Sequence, residues 1–196
     1  MIFRIWLAAC LVALAGCSTD RVSIGYRPIS GIYAQQGQAV VQLGDFVDAR
    51  KVDAHWLGAI RGGFGQPLKV LETDAPATEV VRNAFAQGLA ARGMLRAATG
   101  APYTLTAEIE KFDCSQYVRR EAHAWVTLTL RETASGRAVM TETFRRDVVQ
   151  DNANLFDVGA FASIDDLRAV AIEALRRVID ASLDSPKLRL ALAAGP

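Results

Sequence analysis

Two long stretches of strictly alternating side chains place the strongest constraint on the fold. Over residues 103–112, apolar side chains alternate with threonine and glutamate, and over 121–132 they alternate with mostly polar ones. A period of two residues is typical of strands that bury one face. A turn sequence at 134–137 followed by a return strand at 138–149 predicts a hairpin partner for the second of these strands.

Apolar residues at helical spacing predict two amphipathic helices. One apolar stripe covers residues 80–89 and stops near Gly93, a residue type that suits the position after a helix. The second stripe covers 167–179, and Ser163 is placed to cap its start. Pro186 marks the end of this second helix or lies just beyond it.

The order of these elements predicts the fold class. Strands at 39–47, 56–60 and 68–72 precede the first helix, and the last two read as a hairpin around a glycine-rich turn. We therefore expect an α+β two-layer sandwich, with a mixed, mostly antiparallel sheet and two amphipathic helices on one face. A single domain should cover 39–185, and residues 186–196 should form a tail.

Composition narrows the choice of functions. Hydrophobic residues make up 51% of the 196 residues, enough for a substantial core. With 22 basic and 21 acidic side chains, the chain has no positive excess for binding nucleic acid. Only two histidines and three cysteines are present, without the clustered spacing of a metal site. We therefore expect no metal, no cofactor and no nucleic-acid partner.

The first seventeen residues have the features of an export signal. Residues 1–4 carry one positive charge, and 5–15 are uncharged and too short for a membrane span of about 20 residues. The stretch Leu14-Ala15-Gly16-Cys17 resembles a bacterial lipobox. That resemblance implies cleavage of a signal peptide 1–16 and acylation of the Cys17 thiol, which would anchor the mature chain to a membrane.

The residues after Cys17 indicate where the anchored protein would reside. Ser18 resembles the sorting position of lipoproteins that reach the outer membrane, where the domain would face the periplasm. Residues 17–38 lack a clear period and read as a lipidated cysteine and tether, with a short strand near 22–24. A flexible tether of this length would reach about 25 Å.

Several short sequences, taken with the element order, resemble a known family. Asp48-Ala49-Arg50 ends a strand, Trp56-Leu57-Gly58 opens the hairpin, and Gly88-Leu89 precede the helix end at Gly93. Over about 40–183, this arrangement resembles the YajG-like family of bacterial lipoproteins. Its element order is also similar to the amino-terminal domain of TolB and to auxiliary lipoproteins of envelope transport systems. The resemblance implies a periplasm-facing domain that contacts other molecules and transfers no catalytic residue.

The candidate contact residues are aromatic: Trp125, Phe156, Tyr117 and Trp56. Tryptophan and tyrosine are favoured in protein contacts. We predict a non-enzymatic interaction module for an envelope protein, and the alternative is an auxiliary transport lipoprotein that binds lipid or glycan.

Catalytic alternatives rest on few residues. Glu108, Glu110 and Glu121 could supply a carboxylate pair for glycoside hydrolysis, and the spacing of Glu108 and Glu110 places these two on the same sheet face. Cys114 could pair with His123 across adjacent strands. A buried thiol and a solvated strand face are the simpler interpretations, so no catalytic residue is predicted.

The acylation of Cys17 can be tested directly. We expect the Cys17→Ser variant to incorporate no radiolabelled palmitate and not to be cleaved before residue 17, because the acceptor thiol is missing. Cys10→Ser, which changes the discarded signal peptide, is the matched control and should be processed normally. Normal processing and membrane retention of Cys17→Ser would contradict the lipoprotein interpretation.

Overall fold

The computed structural model describes residues 18–28, 39–96, 100–151 and 159–194. Within these ranges, seven strands and three α-helices form, with a short 3-10 helix at Gly159–Phe161. None of the helices described is long and apolar enough to cross a membrane. The elements are β1 (Ser18–Val22), β2 (Val41–Asp48), β3 (Trp56–Arg61), β4 (Pro67–Thr73), α1 (Ala77–Ala91), β5 (Tyr103–Gln116), β6 (Arg120–Glu132), β7 (Ala138–Gln150), α2 (Ile164–Leu183) and α3 (Pro186–Ala193).

The long strand β5 lies at the centre of one mixed sheet. The strand order is β1-β4-β3-β5-β6-β7, and β2 also pairs with β5. The two strands β2 and β3 run parallel to β5 on successive segments, with Val41 opposite Tyr103 and Gly58 opposite Cys114. The hairpins β3–β4, β5–β6 and β6–β7 are antiparallel. The alternating strands and the predicted fold class are therefore confirmed.

The helices form a second layer on one face of the sheet. The row Ala122, Ala124, Val126, Leu128 and Leu130 of β6 is fully buried. The long helix α2 covers this row with its own buried stripe, from Leu167 to Leu183. Ser163 accepts a hydrogen bond from the Asp166 N–H at 3.3 Å, as the capping pattern predicts. Gly93 has a φ of +67°, the left-handed conformation that favours glycine after a helix.

The end of the chain differs from the predicted tail. Residues Pro186–Ala193 form α3, and Leu188 is buried in the core. Pro186 lies in the first turn of this helix, where its missing N–H leaves no hydrogen bond unmade. The Ser185 hydroxyl donates to Glu142 at 3.0 Å, which holds the helix against β7. Pro186 therefore begins a third helix, α3, where the sequence predicted a tail.

The segment after Cys17 also differs from the predicted tether. Ser18–Val22 pair with β4 in parallel, starting with Ser18 opposite Lys69. Ile24 and Tyr26 are then buried in the core, and the Tyr26 hydroxyl donates to Asp180 at 2.7 Å. Burial raises the pKa of Tyr26 above its ordinary value. The predicted tether residues 29–38 lie outside the described residues, but 18–28 are part of the folded domain.

Two arginines with buried side chains connect separate elements of the fold through ion pairs and hydrogen bonds to backbone carbonyls. Arg92 makes a bidentate ion pair with Asp184, with both N–O distances at 2.8 Å, and so joins the carboxyl ends of α1 and α2. Arg50, with a side chain 4% exposed, makes a bidentate pair with Asp48 and donates to the carbonyls of Trp56 and Phe112. Through the bonds of the Arg50 side chain, the Asp48-Ala49-Arg50 sequence therefore connects β2, β3 and β5.

Gly58 provides a test of the β3–β5 pairing. A Cβ atom at this position would overlap the carbonyl oxygen of Cys114 and lie 2.9 Å from its Sγ. We expect Gly58→Ala to lower the free energy of unfolding by about 1–3 kcal/mol, because β3 and β5 must move apart to make room for the added methyl group. Gly63→Ala is the control, since a Cβ there meets nothing within 4 Å. Equal stabilities in urea denaturation would contradict this close approach.

Candidate functional site

The face of the sheet opposite the helices is the candidate site, and we call it the open face. It is formed by the side chains of β5, β6 and β7 that alternate with the buried ones. All three helices of the described residues pack on the other side. The principal residues of the open face are Glu108, Glu110, Lys111, Asp113, His123, Trp125, Thr127, Thr129, Thr141, Thr143, Arg145 and Asp147.

Trp125 lies near the middle of the open face, on β6. Lys111 Nζ on β5 and the Arg145 guanidinium on β7 each lie 4.9 Å from the centre of its indole ring. The two cations belong to β5 and β7, the strands that flank β6. Such contacts stabilise a partly exposed ring by about 0.5–1 kcal/mol each. The indole is therefore held in one orientation before any partner binds.

Asp147 completes the arrangement around Trp125. Its Oδ1 accepts a hydrogen bond from Trp125 Nε1 at 2.9 Å and contacts His123 Nδ1 at 2.6 Å. The hydrogen bond with His123, followed by that with Trp125, holds the pKa of Asp147 below its ordinary value. On β5, burial raises the pKa of Asp113, which lies opposite His123. The open face is thus a network of paired charges around one indole.

One member of the predicted carboxylate pair, Glu110, is engaged in this network. Glu110 accepts a hydrogen bond from Thr127 at 2.6 Å through one oxygen and pairs with Arg145 at 3.2 Å through the other. A β-bulge between Ile109 and Lys111 interrupts the alternation here. Glu110 therefore has a structural role in holding Arg145 beside the indole.

The conceivable pairing of Cys114 with His123 does not form. Cys114 is opposite Ala122 on the buried face, whereas His123 is on the open face. The thiol is 1% exposed, and burial raises its pKa, which disfavours the reactive thiolate. Cys114 is a core residue, as the simpler interpretation predicts. Within the four described ranges, no group of three or more metal-binding side chains is found.

The other predicted contact residues lie elsewhere. Trp56 starts β3, separated from β6 by β5, and its carbonyl accepts a hydrogen bond from Arg50. Tyr117 lies in the β5–β6 hairpin, where its hydroxyl donates to the Gly63 carbonyl at 2.7 Å. Phe156 and the predicted lipidation site Cys17 lie outside the described residues. Of the three predicted aromatic residues that the structure describes, Trp125 is on β6, Trp56 on β3 and Tyr117 in the β5–β6 hairpin.

A small groove lies beside the amino-terminal segment. Ser23–Tyr26 and the first turns of α1 enclose about 280 Å³, with Asn83 and Gln87 among the lining residues. Small-molecule sites are commonly about 300–1,000 Å³ and mostly apolar. A polar groove of this size is too small to hold the acyl chains of a lipid.

Comparison with known proteins supports the fold. No family model matches the sequence. No curated protein matches it either. Among solved structures, protein XCC0632 from Xanthomonas campestris, of the family DUF330, has a TM-score of 0.62 at 15% identity, covering 90% of this chain and 99% of its own. An uncharacterized protein has a TM-score of 0.53 at 8% identity, with 92% and 100% covered. At these identities the likeness establishes a shared fold only.

A third structure has a lower score. A candidate lipoprotein from Caulobacter crescentus has a TM-score of 0.47 at 17% identity, covering 83% of this chain and 96% of its own. A TM-score below 0.5 does not establish a shared fold.

The shifted pKa of Asp147 predicts a pH dependence. A carboxylate whose pKa is lower in the folded state stabilises that state above its unfolded pKa of about 3.9, and the contribution is lost as the pH falls through the folded value. Asp147 is half exposed, so we expect Asp147→Asn to cost about 1 kcal/mol or less at pH 7. The wild-type advantage should shrink as the pH falls below about 3.9 and be lost once Asp147 is protonated in the folded state as well. Urea denaturation of the wild type and Asp147→Asn at pH 7 and at acidic pH measures the difference in their free energies of unfolding. A difference that does not change with pH would contradict the role assigned to Asp147.

Proposed function

We propose that this chain is a bacterial envelope lipoprotein of the YajG-like type. Acyl chains on Cys17 anchor it to the outer membrane, the domain faces the periplasm, and the open face binds another envelope protein without catalysing a reaction. The lipobox at 14–17 supports the anchor. The arrangement around Trp125 supports the binding role and is the observation on which that role depends.

The open face has the physical properties of a protein contact. Tryptophan and arginine are the residues whose truncation most often weakens protein interfaces, and here Arg145 lies against Trp125. Both side chains are already fixed by neighbours, so little conformational entropy remains to be lost when a partner binds. The face mixes cations and carboxylates, which favours a partner of mixed charge over a polyanion such as nucleic acid.

The same geometry weighs against the glycan and lipid alternatives. A sugar that stacks on tryptophan needs a free ring face, but Lys111 and Arg145 both lie over the indole ring. The groove beside Tyr26 is too small for acyl chains. The hydrolase alternative lacks a free acid at Glu110, which is bound by Thr127 and Arg145. A protein partner therefore explains the site best.

In-cell crosslinking tests the partner role of the open face. A photoreactive amino acid at Thr143, which is exposed beside the indole, should trap a defined envelope protein that mass spectrometry identifies. The matched control is the same probe at Arg177, on the outer side of α2, which should trap no such species. We expect Trp125→Ala to weaken binding of the identified protein by about tenfold or more, as loss of a central aromatic contact does.

The outcomes separate the parts of this proposal. Identical products from Thr143 and Arg177 would contradict a specific contact at the open face. Cleavage of cell-wall glycan that is lost in Glu110→Gln would instead establish the hydrolase alternative.

A further inference from the structure

The exposed apolar side chains of the domain concentrate at one end of the sheet. The described residues include eight large exposed hydrophobic side chains, and five of them lie at this end. We call this end the anchor end, and its apolar residues are Phe64, Tyr117, Val118, Val149 and Phe161. Single exposed hydrophobic residues are ordinary, but a cluster of this kind indicates an interaction surface.

Contacts between loops bring these residues together. Phe64 is at the tip of the β3–β4 turn, and Tyr117 in the β5–β6 hairpin bonds to the neighbouring Gly63 carbonyl. Val149 lies near the end of β7, one register step from the start of β6. Lys69 Nζ donates to the Ala162 carbonyl at 2.9 Å, which fixes the residue after Phe161 against the start of β4.

Phe64 and Phe161 are exposed on loops that hydrogen bonds hold in place. Phe64 is 99% exposed and Phe161 is 86% exposed. The turn that carries Phe64 is closed by a hydrogen bond from the Gly62 N–H to the Gln66 carbonyl at 2.8 Å. Arg61 Nη1 adds a bond to the Gly65 carbonyl at 3.0 Å. The exposure of Phe64 is therefore a property of a formed turn.

The anchor end is also where the folded chain meets Cys17. Ser18, the first residue of β1, lies opposite Lys69, the residue that contacts the loop of Phe161. Cys17 immediately precedes Ser18 in the sequence, so a single peptide bond joins the predicted lipidation site to the first residue of β1. The first strand therefore follows the predicted lipidation site directly in the sequence, without intervening tether residues.

We infer that the anchor end lies on the membrane, with Phe64 and Phe161 inserted into the interface of the leaflet that holds the Cys17 acyl chains. This inference rests on the proposed acylation of Cys17. With no linker between anchor and domain, the bilayer is present at a high effective concentration at this surface. Aromatic and aliphatic side chains at the end of an anchored domain are stabilised by burial at the lipid interface.

The seated domain has a defined orientation. The strands of the sheet end at the bilayer, so the sheet stands on the membrane and the open face is directed sideways. Trp125 pairs with Lys111, several residues along β5 from the hairpin at Tyr117, and so remains above the lipid. A partner bound at the open face would therefore contact the domain beside the membrane.

The test uses the full acylated protein, reconstituted in vesicles of phosphatidylethanolamine and phosphatidylglycerol. Val118→Cys provides a thiol for an environment-sensitive fluorophore, because Cys17 is acylated and Cys114 is buried. Lipids with a nitroxide on the acyl chain should quench most of this fluorescence. The same label at Leu190→Cys, on α3 and 71% exposed, is the matched control and should not be quenched. Replacing both Phe64 and Phe161 with serine should reduce the quenching at residue 118.

Flotation with the vesicles separates this inference from the proposed function. Failure of the protein to float would overturn acylation of Cys17, and the membrane seating with it. A protein that floats but whose label at residue 118 is unquenched would overturn the seating alone. A label that shifts to shorter wavelength without quenching by the lipid nitroxide would place a second copy of the chain on this surface, and would also overturn it.

Discussion

The arrangement of the domain depends on the parallel pairing of β1 with β4, because this pairing brings the residues directly after the predicted lipidation site into the sheet. It begins at Ser18, directly after the predicted lipidation site, and it continues into the burial of Ile24 and Tyr26. A strand that is hydrogen-bonded along its length cannot act as a flexible spacer. The sheet therefore fixes the chain from Ser18 onward, one residue after the predicted lipidation site.

The centre of the sheet depends on one unusual strand. Because β5 has fourteen residues, two shorter strands, β2 and β3, can pair with successive segments of the same edge. Gly58 allows the backbone of β3 to approach Cys114, and Arg50 bonds to carbonyls of both β3 and β5 at the junction. The opposite edge of β5 is then free to carry the long hairpins that build the open face.

Sequence patterns predicted the parts of the fold that depend on local periodicity. The alternation in β5 and β6, the stripe of α2 and the Ser163 cap are all local signals, and the structure has them. The parallel partners of β5 and the partner of β1 are not local, because they join residues far apart in the chain. Pro186 was ambiguous for another reason, since proline both follows helices and begins them.

The candidate site shows the same division between local and distant information. The alternation predicted that Trp125 lies on the polar side of β6. It did not predict that Lys111 and Arg145 lie beside it. A β-bulge after Ile109 changes the register of β5 and brings Lys111 opposite Trp125, and Arg145 comes from the return strand β7. Trp125 and Tyr117 were grouped by residue type, yet one belongs to the open face and the other to the anchor end. Aromatic residues on one strand pair can thus lie on two separate surfaces, because a long strand extends from one end of the sheet to its middle.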